Sequence, residues 1–223
     1  RDVRMDARGT TATVMTPAGE AALRTRLPGR FNLANCLGVI AGAHLMDVAL
    51  DDAVRGIAGL PGVPGRMEPV DAGQPFSVLV DYAHTPDSLD NVLRAARGFA
   101  GGGRVIVVFG CGGDRDTGKR PQMGRIAREL ADVAVVTSDN PRSEAPVSII
   151  DQIVSGATRG GDLRVEPDRR AAIALAAELA RDDDVVVIAG KGHERGQEIA
   201  GVVTPFDDRE VAREVLTGRA EGA

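Results

Sequence analysis

The chain has 223 residues, 43% of them hydrophobic and 26% charged, enough apolar material for one large core or for one domain plus part of another. Its 27 basic against 32 acidic residues give a net charge of -5, without the basic excess of a protein that grips a phosphate backbone, so nucleic acid is not an expected partner. No apolar run approaches the roughly 20 residues of a membrane span, and the longest, such as Val185 to Ala189, are strand-sized, so no membrane insertion is expected.

From Arg1 to about Arg26, Thr11, Thr13 and Met15 alternate with Ala12 and Val14 and break at Pro17-Ala18-Gly19, which predicts a β-hairpin in need of a sheet to join. Apolar positions 33, 36, 37, 40, 41 and 45 predict a helix over 31–46, and 51–58 reads as a second, shorter one. The segment Gly59-Leu60-Pro61-Gly62-Val63-Pro64-Gly65 is too rich in Gly and Pro for a regular element and marks a boundary, dividing the chain into domains 1–64 and 65–223. Beyond it, strands predicted over 76–80, 104–109, 133–137, 163–165 and 185–189 alternate with helices over 86–99, 121–130, 147–157 and 168–180. A hairpin around Gly201 and a last helix over 207–216 follow. Strands alternating with helices imply crossover connections, so the second domain is expected to be Rossmann-like α/β with a mostly parallel sheet. Ligands of such sheets bind beyond the carboxyl ends of the strands.

The scarce reactive residues fall in those places. Lys119 and Lys191 are the only two lysines, and both stand in Gly-rich loops. Tyr82, the single tyrosine, and His84 and His193, two of the three histidines, follow apolar strands. His44, the third, reads as an ordinary core or surface residue and Cys36 as a small core residue. Cys36 and Cys111 show no metal-ligand spacing, which fits a reducing, cytoplasmic setting, and no metal site is expected from them. The start Arg1-Asp2-Val3-Arg4 carries no apolar leader and reads as a chain entered in its middle.

Four loops and two smaller features are candidates for chemistry. Gly110 to Arg120 contains Gly113, four residues, then Gly118-Lys119, a near match to a P-loop with Arg120 where the Mg²⁺-binding Ser or Thr should be. A P-loop phosphotransferase, another anion or zwitterion site, and a structural glycine loop are the readings; Arg115 and Arg120 suit a carboxylate, which guanidinium forks bind bidentately. Asp139-Asn140-Pro141-Arg142 is either a plain turn or a rigid turn presenting an acid, an amide and a guanidinium to an amino acid. Gly190-Lys191-Gly192-His193-Glu194 sets three ionisable side chains among glycines. In Asp81 to Pro86, Thr85 and Pro86 read as a helix cap, which leaves Asp81 as a candidate for a ribose hydroxyl and His84 unexplained. Asn32 and Asn35 are expected on one helical face unless Asn32 merely caps the helix, and Arg66 is a phosphate ligand or a surface arginine.

Phe31-Asn32-Leu33-Ala34-Asn35, Gly65-Arg66-Met67-Glu68, Asp81 to Pro86, Gly110 to Pro121, Asp139 to Arg142 and Gly190 to Glu194 resemble the Mur ligase family in order and spacing, along nearly the whole chain. The Asp-Asn-Pro-Arg motif resembles that of members choosing diaminopimelate over lysine. The resemblance implies an ATP-dependent ligase of peptidoglycan biosynthesis that joins meso-diaminopimelate to a UDP-N-acetylmuramoyl dipeptide through an acyl phosphate, working as a monomer. It implies that Arg115, Asp139, Asn140, Arg142, Gly190 and Glu194 hold diaminopimelate, and that Asn35 meets the adenine of ATP with Asn32 in support, Arg66 its phosphates and Asp81 its ribose. His84, Lys119, Lys191 and His193 lie in matching motifs as accessory residues. The family's P-loop, Mg²⁺ ligands and carbamylated lysine precede the part resembled here. Residues 1–64 are therefore expected to be the tail of the central ATP-binding domain, and the chain alone to be catalytically silent. A non-catalytic module that binds a small zwitterion is the alternative from another class.

Overall fold

The structure, a computed structural model, describes residues 1–221, which fall into two compact units, Arg1–Val63 and a second from Pro64 onward. In the first, strands β1 (Arg4–Asp6), β2 (Gly9–Thr16) and β3 (Gly19–Thr25) form an antiparallel sheet in that order, followed by helices α1 (Arg30–Leu45) and α2 (Leu50–Ala58). The predicted hairpin is β2–β3, closed where Thr16 pairs with Gly19. Strand β1 is an addition; its three residues, Arg-Met-Asp, are too short to show alternation. Val14 and Leu23 turn inward from the sheet and meet Cys36 and Ile40 of α1 and Val54 and Ile57 of α2. That small core is what holds the unit together.

The second unit runs β4 (Glu68–Pro69), β5 (Ser77–Asp81), α3 (Pro86–Phe99), β6 (Val105–Phe109), α4 (Lys119–Leu130), β7 (Val133–Val136), α5 (Pro146–Gly156), β8 (Asp162–Val165), α6 (Arg169–Leu179), β9 (Val185–Ala189), β10 (Gly196–Ile199), β11 (Val202–Pro205) and α7 (Asp208–Glu221). Its six-stranded sheet has the order β4-β5-β9-β6-β7-β8, parallel throughout except for β4 at one edge. The mostly parallel α/β sheet expected from the alternation is thus present. The two-residue β4, antiparallel to β5, and the stretching of α4 back to Lys119 are differences from that expectation.

Strands β6 and β9 are continuous apolar runs, rich in Val and Ile, because both of their faces are covered. Val78, Val80, Ile106, Val108, Val186 and Ile188 point to one side, where Ala172, Ile173 and Ala176 of α6 and Val211 and Leu216 of α7 pack on them. Their neighbours Leu79, Val107, Phe109 and Val187 are equally buried and point to the opposite side, which α3, α4 and α5 cover. Helix α3 begins as its sequence dictates: Thr85 is the N-cap, shares a capping box with Ser88, and Pro86 takes the first turn. Since β5, β9, β6 and β7 are neighbours and parallel, the loops leaving their carboxyl ends emerge side by side. No helix among the described residues is long and apolar enough to cross a membrane.

Candidate functional site

These four loops enclose a cleft of about 460 Å³, lined by Arg115, Lys119, Asp139, Asn140, Arg142, Gly190 and Glu194 together with Tyr82 and His84. The six residues expected to hold an amino acid therefore share one cavity, with two of the accessory residues beside them. The loops touch through backbone as well as side chains. The Gly113 N–H donates to the Asn140 carbonyl at 2.9 Å, and a Cβ on Gly113 would run into the Pro141 carbonyl, so this crossing requires glycine. Gly190 has φ 119, and a Cβ there would stand 2.5 Å from Asp139 Oδ2.

Arg142 adopts a left-handed backbone, φ 52, an uncommon conformation for a non-glycine residue. The β10–β11 hairpin holds it there: the Arg142 N–H donates to the Glu198 carbonyl at 3.0 Å and the Ala200 N–H to the Arg142 carbonyl at 2.7 Å. Its guanidinium donates to the Gly113 carbonyl at 2.8 Å and lies 3.6 Å from Glu198. Arg115 donates only to the neighbouring Asp114 carbonyl, at 3.1 Å, and has no acidic partner among the described residues. The cleft is thus lined by two guanidiniums with donors to offer and by the carboxyl-bearing residues Asp139 and Glu194. Asp139 Oδ2 is buried without a hydrogen-bond partner among the described residues. A molecule carrying both carboxylate and ammonium groups matches this arrangement.

Beneath the cleft lie three cations with no exposed surface: Arg120, Lys191 and Arg169. Arg120 donates to both oxygens of Glu144 at 2.8 Å, to Gln152 at 3.0 Å and to the Gly112 carbonyl at 3.2 Å. The expectation that Arg120 suits a ligand carboxylate is therefore corrected: its carboxylate partner is the protein's own Glu144. Glu144 also accepts from the Asp114 N–H at 2.7 Å. The Arg120 fork and this amide hold its carboxyl down to about 2. An anion is thus already built into the glycine loop, and Lys119 donates to the His84 carbonyl at 2.7 Å, which takes away the groups a P-loop would turn to phosphate. Cys111, in the same loop, is buried beside Met123, and burial pushes its thiol up to about 12, so it is no nucleophile.

Lys191 is a corner of a closed ring, donating to Asn140 Oδ1 at 3.0 Å and Glu194 Oε2 at 3.3 Å, while Asn140 Nδ2 donates to Glu194 Oε2 at 2.8 Å. Arg169 pairs with Asp208 at 2.8 Å and donates to the Ser138 carbonyl at 3.3 Å and the Ala189 carbonyl at 3.0 Å, which ties together the ends of β7 and β9. Sequence reading missed Arg169, Glu144 and Glu198. An arginine opening a helix, a glutamate in a polar loop and another in the short strand β10 carry no local sign of such partners.

Around Tyr82 a second group gathers. His84 lies 4.5 Å and His193 5.4 Å from its ring centre, and the exposed Arg66 guanidinium lies 5.1 Å above it. His193 sits at this ring rather than in the cleft wall. Asp81 is buried and accepts from the Met67 and Ala83 N–H groups, each at 2.8 Å, yet burial outweighs these bonds and pushes its carboxyl up. In the first unit Asn32 and Asn35 stand three residues apart in α1, Asn32 buried and Asn35 exposed. Asn32 does not cap α1, because Gly29 holds that position and the Asn32 amide donates back to the Pro28 carbonyl at 2.7 Å. His44 is exposed and Cys36 buried. No group of three or more His, Cys, Asp or Glu suited to a metal ion occurs among the described residues.

Over 212 residues the chain is 51% identical to UDP-N-acetylmuramoyl-L-alanyl-D-glutamate--2,6-diaminopimelate ligase of Gloeobacter violaceus, covering 95% of this chain and 43% of that protein. To the enzyme of the same name from Thermosynechococcus vestitus it is 52% identical over 213 residues, with 95% and 43% covered. The chain thus spans less than half the length of these curated relatives. A solved structure of a ligase of that name superposes with a TM-score of 0.74 at 38% identity, covering 98% of this chain and 45% of the other. UDP-N-acetylmuramate-alanine ligase from Thermotoga maritima, at 18% identity, TM-score 0.66 and coverage of 99% and 45%, shares the fold. The model of the Mur ligase, glutamate ligase domain matches residues 65–192, and the chain belongs to the Mur ligase family.

Proposed function

We propose that this chain is the amino-acid-binding half of an ATP-dependent ligase that adds meso-diaminopimelate to UDP-N-acetylmuramoyl-L-alanyl-D-glutamate, residues 1–64 being the tail of its central ATP-binding domain. The observation that carries the reading is one cleft lined by Arg115, Arg142, Asp139 and Glu194, a mixture of cationic and anionic groups that suits the carboxylates and ammonium groups of diaminopimelate. Two relatives above 50% identity bear that enzyme's name, which supports the same choice.

In this reading ATP phosphorylates the side-chain carboxyl of the D-glutamyl residue. An amine of the bound diaminopimelate attacks the acyl carbon, a C–N bond forms, the C–O bond to phosphate breaks, and the amine gives up a proton. The residues described here bind and orient the amino acid. Arg66, exposed and without a carboxylate partner among the described residues, is suited to the ATP phosphates. Asp81 keeps lone pairs for ribose hydroxyls, and Asn35 is exposed for the adenine, with Asn32 securing the start of its helix. Mg²⁺ would neutralise the phosphates during transfer, its ligands being supplied by the part of the relatives that this chain does not span. The enzyme works as a cytoplasmic monomer in this proposal.

Calorimetric titration with meso-diaminopimelate, beside L-lysine, tests it. Selective binding of meso-diaminopimelate is expected, weakened at least about tenfold by Arg142→Ala, the scale of a lost charged hydrogen bond. Preference for L-lysine, or binding indifferent to that substitution, would overturn the reading.

A further inference from the structure

The Lys191–Asn140–Glu194 ring fixes which polar atoms can reach a ligand. The Lys191 ammonium and the Glu198 N–H, at 3.0 and 3.1 Å, both point at Asn140 Oδ1. Both are pure donors, so this atom must be the amide oxygen, and the Asn140 NH₂ is turned toward Glu194. One N–H of that NH₂ is bound to Glu194 Oε2; the other is what Asn140 has left for the cleft. Glu194 Oε2 accepts twice, whereas Oε1 accepts no hydrogen bond among the described residues. The ring therefore offers one donor and one acceptor side by side.

Its charge matters as much as its geometry. Lys191 is fully buried and Glu194 is about one-third exposed, and together they sum to zero. A lone ammonium arriving at Glu194 meets a carboxylate already matched, and leaves an excess positive charge in a partly desolvated place. A carbon bearing both ammonium and carboxylate satisfies Oε1 and the free Asn140 N–H together and adds no net charge.

We propose that Lys191 is a positioning residue that sets the selectivity of this cleft, orienting the Asn140 amide and neutralising Glu194 so that an amino-acid head group is accepted and a bare amine refused. The proposal rests on the amino-acid-ligase reading above and assigns within it a role to a side chain that ligand never touches.

The test is titration of the ¹⁵N-labelled chain with meso-diaminopimelate and with L-lysine, followed by NMR, for the unaltered protein, Lys191→Met and Lys191→Gln. In Lys191→Met, binding of meso-diaminopimelate is expected to weaken by about tenfold while binding of L-lysine strengthens, since Glu194 is then an unmatched anion. General damage to the site would weaken both. Lys191→Gln keeps a donor for Asn140 Oδ1 without the charge, so it should restore the meso-diaminopimelate affinity yet still admit L-lysine. Parallel loss of both ligands in Lys191→Met, or no change in their ratio, overturns the proposal. If the unaltered chain binds neither amino acid, the ligase reading loses its support while the ligand-free spectra still judge Lys191. The Asn140 side-chain NH₂ signals should move in Lys191→Met and stay in Lys191→Gln, and signals unchanged in both variants would overturn the role.

Discussion

Arg120 and Arg169 are both fully buried guanidiniums under the same cleft, but they are neutralised in opposite settings. Asp208, which faces Arg169, has no exposed side-chain surface, whereas Glu144, which faces Arg120, keeps 28% of its own. The first pair is sealed in the protein behind the ends of β7 and β9. The second is a clasp between the start of α4 and the loop before α5, open to solvent on its acidic side. A buried pair returns little net stability when intact but is expensive to break from one side, because the surviving charge has no water to turn to. A half-open pair lets its survivor recover some hydration. The same chemical couple thus acts as a foundation in one place and as a releasable latch in the other.

The largest effect is expected of Asp208→Asn, which preserves shape and leaves Arg169 uncompensated. About 3–5 kcal/mol of stability should be lost, read from urea unfolding by circular dichroism, since the chain has no tryptophan to follow. A loss no larger than that of Glu144→Gln would mean that the two settings are equivalent. A smaller effect sharpens the contrast through pH. The Glu144 carboxyl is held at about 2 against an ordinary 4.5. A depressed acid stabilises the folded state above its ordinary pKa and loses that contribution as pH falls from about 4.5 toward 2. The Asp114 amide, bonded to Glu144, should therefore titrate by NMR with a midpoint near 2 and lose this response in Glu144→Gln. The smallest effect comes from Thr85→Ala, which removes the α3 cap away from both pairs. It should cost about 1 kcal/mol in thermal unfolding and leave the Asp114 titration untouched.

Much of the fold was legible because it rests on local signals. The Val185 to Ala189 run and the Thr85-Pro86 helix start each announce themselves within a few residues, and the structure places β9 and α3 there. Strands β1 and β4 escaped because three and two residues cannot display a period. The candidate site was legible at the level of loops, since parallel strands deliver their carboxyl-end loops to one rim. Its internal wiring was not. Lys191 lies 51 residues from Asn140, and Arg169 39 from Asp208, so which cation is sealed and which faces ligand is decided by packing between distant segments. Arg120 shows this most plainly: beside Lys119 in a glycine loop it reads as a ligand residue, and the fold turns it inward to Glu144.

The scarcity of lysine also bears on how this molecule can be handled. Of its two side-chain amines, one is sealed within the ring and the other, half-buried, lines the cleft with its nitrogen on the His84 carbonyl. Of the two lysine amines, the one that amine-reactive dyes, cross-linkers and sensor surfaces can reach is that of Lys119. A label placed there reports directly on the rim where ligand enters, and a protein immobilised through it is held by its own binding site.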